Sequence, residues 1–422
     1  MSFNPADRPA GSPLVVLADD LSGAAECAAV LPGCRRILLD PAAPVRPRET
    51  PVIDLDSRRR TPAGAARLVA RATGRHAATG ARLLKKADSL LRGHLAAETS
   101  EFAAGASGLV VAPAVPAAGR TVRDGVVRLH GVPLHHTEAW RAEPGPVPRS
   151  VAEALGRADT TVLPLDQVRA GATHLGGSLR SALARGAPVV CDAETDADLD
   201  AVAAAVLRLP HTVRMVGAGG LTAALGRRCG PVAPRTAPGR APAAPRPVVV
   251  VVGTAHPGSV AQIAQLTLHG ARHSALSAES LLGPGDGDGE HSTARARAAL
   301  EGAPVSVLSI SGTGAVDPSA APRLARALAR SVAAVLPEDA DLVLTGGETA
   351  RRVLDELAVT SLLPVGQVHH GAVHCRTVDG REVVTRPGGF GGPDSLLRMV
   401  GALRTDRGRA VQEPYASDGG PR

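Results

Sequence analysis

The stretch that most restricts how this chain can fold is Leu14–Glu26, LVVLADDLSGAAE. Apolar residues run straight into a paired carboxylate, followed by Leu-Ser-Gly and an alanine-rich helical pattern. A short apolar run that stops at a turn and leads into a helix reads as the first strand and helix of an α/β sheet. Asp19 and Asp20 then stand at the carboxyl end of a strand, beside a helix start, where open α/β sheets place their ligands. Two readings stand for the pair. One acid N-caps the helix, or the acids bind a cation or take a proton from a hydroxyl.

The same alternation recurs along the chain. Strands are predicted at 36–39, 51–54, 82–86, near Val162, at 188–191 and at 213–216, with helices at about 61–73, up to Ala104, from Gly177, at 195–209 and at 219–229. LVVAPAVPAAGRTVRDG reads as a strand entering a punctuated loop, and VVRLHGVPL as a hairpin. Residues 230–247, with six prolines and no acid, read as a semi-rigid linker. Beyond them come strands at 248–252, 304–309 and 341–345, helices after GTAHPGS, at 321–336 and at 348–357, then short strands, a glycine-rich loop and a final helix. GPGDGDGE (283–290) reads as a solvated loop without EF-hand spacing. The expected fold is α/β with two domains, each a mostly parallel sheet flanked by helices. An N-terminal domain takes residues 1–229 and a C-terminal domain 248–404, with a disordered tail at 405–422. A chain of 422 residues is long enough to give each domain its own core.

Several function classes are disfavoured. No run of 18 apolar residues exists to span a membrane. MSFNPADRPAGSP lacks an apolar signal core, so the cytoplasm is the expected compartment. Five cysteines (27, 34, 191, 229 and 375) form no CxxC pair and read as small buried residues of a reducing environment. The pI of about 9.9 invites a nucleic-acid reading, but the arginines are dispersed, and three Phe, one Trp and one Tyr leave almost nothing for base stacking. Net charge +7 suits small acidic molecules equally well. Of the 47 basic residues, all but Lys85 and Lys86 are arginine, which points to a compact ammonium being needed at that pair. Neither lysine follows a glycine, so there is no Walker A loop, and no protein-kinase signature is present.

Two sets of turns carry the candidate chemistry. In the first domain these are DD (19–20), SRR (57–59), KKADSLLRG (85–93) and PAAGRT (116–121), all at ends of different predicted strands. They supply carboxylates, the hydroxyls of Ser57 and Ser89, a lysine and arginines, which is equipment for a small polyhydroxy acid. Arg58, Arg92 or Arg120 can fork onto a substrate carboxylate. Asp20 or Asp88 can accept a hydroxyl proton. In the second domain GTAHPGS (253–259), LTGGETA (344–350) and RPGGFGG (386–392), with Gly346, Gly347, Gly388 and Gly389, let backbone and helix N-termini approach phosphates. GAGG (217–220) has Thr222 at the third glycine position of a dinucleotide fingerprint and is set aside. His369, His370, His374 and Cys375 alternate faces if the region is β, so no protein metal site is expected there.

Assembled, these motifs resemble the four-carbon acid sugar kinase family, from about Leu14 to Val400. ADDLSGAAE is similar to that family's ADDLTGA, KKADSLLRG to KKxDSTLRG, LTGGETA to LTGGDTA and RPGGFGG to KSGGFG; the PAAGRTV stretch and a VVGT turn with a downstream Gln262 add to the match. The resemblance implies a sugar-acid-binding N-terminal domain, an ATP-binding C-terminal domain without a P-loop, and an active site in the cleft between them. It implies phosphorylation of a terminal hydroxyl of threonate, erythronate, 3-oxo-tetronate or 4-hydroxythreonine, with Mg²⁺ on the phosphates. Thr254, Gly346, Gly347, Glu348, Thr349 and Gly389 fall on the ATP side. Asp19, Asp20, Arg58, Lys86, Asp88, Ser89, Arg92, Gly119 and Arg120 fall on the acceptor side. Of these, Asp20 is read as base with Asp88 as its competitor, and Lys86 and Arg92 as charge-neutralising groups. A homodimer is compatible, and neither nucleic acid nor membrane is an expected partner. Five positions depart from the family pattern: Arg386-Pro387 for Lys-Ser, Thr254 for Ser, Glu348 for Asp and Ser22 for Thr. The first brings into question a phosphate-side contact, since an arginine fork is not a lysine point charge. It leaves open a non-catalytic relative that binds sugar acid or nucleotide and regulates.

Overall fold

A computed structural model describes residues 13–46, 49–141, 143, 145–232, 246–254, 256–282, 289–311, 320–388 and 390–405. The expectations for most of the linker, the 283–288 stretch, Gly389 and residues 406–422 lie outside the described residues. The chain divides into two compact units, one taking residues up to Val232 together with Leu354–Leu363, the other most of the chain beyond Val232.

In the first unit, strands β1 (Leu14–Ala18), β2 (Ile37–Leu38), β3 (Val52–Asp54), β4 (Arg82–Lys86) and β5 (Gly108–Ala112) precede a small antiparallel set. That set is β6 (Arg120–Arg123), β7 (Val126–Leu129) and β8 (Val132–Pro133); then come β9 (Thr161–Leu163), β10 (Val189–Cys191) and β11 (Val213–Gly217). The main sheet runs in the order β2-β3-β1-β4-β11-β5-β10-β9, with every pair parallel. Its strands read as nearly unbroken apolar runs because both faces are covered: Val16, Leu17, Leu84, Val110, Val190 and Met215 are all 0% exposed. From β1 the chain goes to β2 and β3 on one side, then crosses to β4 on the other. The β1/β4 boundary is therefore the switch point of the sheet.

The helices begin where their caps predict. Asp20 caps Leu21–Val30 by accepting a hydrogen bond from Gly23 N, and Thr61 caps Pro62–Ala77 with proline in its first turn. The helix expected from Gly177 starts earlier, at Ala172, because Gly171 supplies the turn and Gly176-Gly177 are tolerated inside it. The predicted hairpin is β7–β8, its turn made by His130 and Gly131, both with positive φ as a two-residue hairpin requires. In the GAGG stretch, a side chain on Gly217 would meet Leu221 of the following helix at 2.6 Å and Ala112 O of the neighbouring strand at 2.8 Å, so the glycine serves close helix–strand packing. All five cysteines are thiols outside any disulfide, four of them buried and Cys229 partly exposed; burial pushes the Cys27 thiol up to about 12.

The second unit holds β12 (Val248–Val252), β13 (Arg272–Ser277), β14 (Val305–Ser311), β15 (Asp341–Thr345), β16 (Ser361–His369), β17 (Ala372–Thr377) and β18 (Glu382–Arg386). β16 opens within the first unit, where its Ser361 and Leu362 pair antiparallel with Leu38 and Ile37 of that unit's sheet. The remaining order is β13-β14-β12-β15-β18-β17, parallel except where β17 meets β18. Its core gathers Val250, Val307, Val343, Val384, Leu396 and Met399. Here too the chain leaves β12 toward β13 and β14, then crosses to β15, so β12/β15 is a second switch point.

Candidate functional site

The turn after β3 is docked on the end of β1: Ser57 N and Arg58 N both donate to Asp19 O, at 3.0 and 3.2 Å. This places the Arg58 guanidinium over the switch point. Its Nε donates to Asp19 Oδ2 at 2.8 Å, its Nη1 to Asp20 Oδ2 at 2.9 Å, and its Nη2 lies 3.7 Å from Asp88 Oδ2. One cation thus serves three carboxylates from two strand ends. Those carboxylates in turn hold the arginine's pKa well above its ordinary value despite burial.

The three acids are not equivalent. Burial pushes the Asp20 carboxyl above its usual range; Arg58 pulls against this and the Asp19 charge adds to the rise. Asp20 is also the helix cap, its Oδ1 accepting from Gly23 N at 2.9 Å, as the N-cap reading expects. Burial also opposes the charge on Asp19, but Arg58, Lys85 and Lys86 outweigh it and hold that carboxyl below its usual value. Asp88 is tied on both oxygens. Leu90 N and Arg92 Nε donate to Oδ1 at 2.9 Å each, and Arg92 Nη2 donates to Oδ2 at 2.7 Å. Against its burial, Arg92 and Arg58 keep Asp88 well below the carboxylate range.

Lys85 and Lys86 are adjacent on β4 and so face opposite sides of the sheet. Lys85 Nζ meets Glu98 Oε2 at 2.8 Å, with the two side chains 0% and 3% exposed. Lys86 Nζ lies 3.6 Å from Glu26 Oε2 and donates to Ala87 O at 3.0 Å. Among the expected residues, Lys86 therefore lies on the helix Leu21–Val30 side of β4. Arg120 Nη1 donates to Ser89 Oγ at 2.5 Å, joining the 116–121 turn to the Asp88 loop. Gly119 adopts φ +65, and a side chain there would collide with the His130 ring. Asp19 Oδ1, Ser22 Oγ, Ser57 Oγ and Arg120 Nε are buried without a hydrogen-bond partner among the described residues. Each such atom costs about 1–3 kcal/mol, and all four belong to these turns.

In the second unit the three glycine turns also meet. Gly346, with φ +85, donates its N–H to Arg386 O at 2.9 Å. A methyl group on Gly388 would lie 3.3 Å from Thr254 Cγ2 and 3.7 Å from Gly346 Cα, and one on Gly253 would collide with Thr349 Oγ1. Gly347, Glu348 and Thr349 form the first turn of helix Gly347–Glu356, whose amides have no partner within the helix. A main-chain surface at a helix N-terminus, free of side-chain bulk, fits phosphate. Arg386 does not extend outward as a phosphate contact: it is 0% exposed and donates to the carbonyls of Pro387 and Phe390 and to Gln262.

Sequence reasoning missed several participants. Glu26 and Glu98 were not singled out from the sequence, yet each faces a lysine. Trp140, the chain's single tryptophan, donates from Nε1 to Leu90 O at 2.7 Å and braces the Asp88 loop; its rarity was the available signal. His374 pairs with Glu382 at 2.8 Å and His369 with Ser395 at 2.9 Å. Among the described residues, no group of three or more His, Cys, Asp or Glu is arranged to hold a metal ion, and no helix is long and apolar enough to cross a membrane.

Residues 14–225 match the family of sugar-binding N-terminal domains, and residues 249–396 that of nucleotide-binding C-terminal domains. The chain is 34% identical to a D-threonate kinase of Cupriavidus necator, over 93% of this chain and 98% of that one. It is also 34% identical to a D-threonate kinase of Bordetella bronchiseptica, over 94% of this chain and 99% of the other. A solved Salmonella typhimurium LT2 protein, 21% identical, shares the fold with a TM-score of 0.76 over 92% of this chain and 98% of that chain. With both domains present in this order and such relatives spanning nearly its whole length, the chain belongs to the four-carbon acid sugar kinase family.

Proposed function

We propose that this protein transfers the terminal phosphoryl group of ATP to a hydroxyl of a four-carbon sugar acid. D-threonate is the first candidate, because both full-length relatives carry that name. The observation that carries the reading is the Arg58 hub, which gathers Asp19, Asp20 and Asp88 at the first sheet's switch point. Asp20 is the base: its pKa is raised, its side chain is 17% exposed, and it therefore both reaches a substrate hydroxyl and holds a proton better than its neighbours. Asp88, fixed by Arg92 and held strongly ionised, orients that arginine. Arg92 and Arg120 bind the acceptor carboxylate and the transferring charge, with Lys86 adding positive potential beneath them. Asp19 Oδ1, Ser22 Oγ, Ser57 Oγ and Arg120 Nε gain partners from substrate hydroxyls, carboxylate or a cation.

On the nucleotide side, Thr254, Gly346–Thr349 and Gly388 cradle the phosphates with main-chain amides, and Gly389 belongs to the same motif. Mg²⁺, when bound, neutralises phosphate charge. The inward course of Arg386 removes the sequence motive for a non-catalytic relative, because the residue's hydrogen bonds are internal. The test is a coupled ADP assay with D-threonate, L-threonate, D-erythronate and 4-hydroxythreonine, each against a no-acceptor control. Acceptor-dependent ADP release supports the kinase. ATP binding without turnover on any acceptor points to a sensor and overturns the proposal.

A further inference from the structure

Arg386 closes β18 as a fully buried cation, and among the described residues no carboxylate pairs with it. Its Nη1 donates to Pro387 O at 3.0 Å and to Phe390 O at 2.7 Å, and its Nη2 to Gln262 Oε1. Gln262, 1% exposed on helix Pro257–Leu268, directs its own amide to the same segment. Its Nε2 donates to the carbonyls of Phe390, Gly391 and Gly392 at 3.2, 3.1 and 2.9 Å. Two side chains thus collect the carbonyls of Pro387, Phe390, Gly391 and Gly392.

A planar trans peptide sets each N–H opposite the preceding carbonyl. Drawing in the carbonyls of 387, 390 and 391 therefore turns the N–H groups of Gly388, Gly391 and Gly392 away from the pair. Gly388 already lies beside Thr254 and Gly346. Main-chain N–H groups aimed the same way form an anion-binding concavity.

We propose that Arg386 and Gln262 are positioning residues that preset Pro387, Gly388 and residues 390–392 as a main-chain surface for the phosphates of ATP, the arginine acting through these carbonyls without touching the nucleotide. The inference rests on the nucleotide-site reading above and deepens it. It also accounts for arginine at a position where the family pattern has lysine: a planar fork reaches two carbonyls and an amide oxygen at once.

The test uses the full-length protein. In Gln262→Glu the acceptor for Arg386 remains but the donors to the loop carbonyls are lost. ATP binding by calorimetry and KM for ATP should weaken about tenfold, while KM for D-threonate changes less than twofold. Arg386→Lys should recover part of the ATP affinity lost in Arg386→Met. A merely structural role would instead lower thermal stability and move both KM values together. Wild-type protein labelled with ¹⁵N-glycine supplies a measurement that needs no variant: MgATP should shift the amide signals of Gly388, Gly391 and Gly392. If wild type binds no ATP, the nucleotide reading itself fails. If it binds ATP while those three amides stay in place, or Gln262→Glu folds and binds as wild type does, the positioning role is overturned and the nucleotide reading stands.

Discussion

Arg58 donates to Asp20 at 2.9 Å through the carboxylate oxygen that the helix cap leaves free. Asp20 is therefore anchored at both oxygens yet sits above its ordinary pKa, which suits it to accept a proton during transfer. Asp20→Asn keeps the cap through its single amide oxygen, turns an NH2 donor toward Arg58 in place of the acceptor, and removes the proposed base. It should lower kcat about 10²–10⁴-fold, a loss far larger than the modest fall in melting temperature expected from the broken arginine contact. Turnover near wild type in an ADP-release assay would exclude Asp20 as base.

The same residue sets a pH dependence. With its folded-state value raised, Asp20 is protonated at pH values where an ordinary aspartate is ionised. The acid limb of kcat/KM should fall above the usual aspartate range, with activity dropping as pH decreases through it. Asp20→Glu should move that limb, and a pH–rate series on both proteins checks it.

Asp88 works in the opposite direction. Its folded-state value is depressed, so its contribution to stability is present above the unfolded aspartate pKa and is lost as pH falls through the folded value. Asp88→Asn frees Arg92 and should cost about 1–3 kcal/mol, with a rise in KM for the acceptor. Urea denaturation at pH 7 and at pH 3 should show the difference between wild type and variant shrinking at the lower pH.

Lys85 and Glu98 lie fully buried on the sheet face away from Glu26. Lys85→Met leaves Glu98 unpaired and should destabilise by about 3–5 kcal/mol, whereas Lys85→Met with Glu98→Leu should regain most of that loss. Thermal melts of the single and double variants decide it. A double variant no more stable than the single one would mean the pair does more than balance its own charges.

Gly346 occupies φ +85, and Gly253 lies against the Thr349 side chain. Gly346→Ala should cost about 1 kcal/mol in backbone strain and raise KM for ATP, with D-threonate binding unchanged. Parallel calorimetry with each ligand measures both.

Much of this arrangement was legible because strand ends and helix caps are local. The DD turn, the glycine turns and most strands follow from apolar runs broken by turn residues. What was not legible depends on strand order. Arg58 reaches Asp88 only because β3 and β4 flank β1, and no residue pattern announces that neighbour list. β13 escaped notice because RHSALS is a half-exposed edge strand with little apolar signal. Arg386 read as a phosphate-side residue from its motif, while the face of β18 it occupies turns it into the core. Glu98 was unreadable for a related reason: a helix acid becomes a buried partner only when a strand lysine is packed beneath it.

The placement of the two lysines on a single covered strand has a practical corollary. With every other basic side chain an arginine, the folded protein offers amine-directed reagents no accessible ε-amino group. Acylation of Lys85 or Lys86 then has to wait for the centre of the first sheet to open. Acylation mapped to Lys85, counted apart from the α-amine, thus becomes a clock for the unfolding of the first sheet, read independently of the second unit.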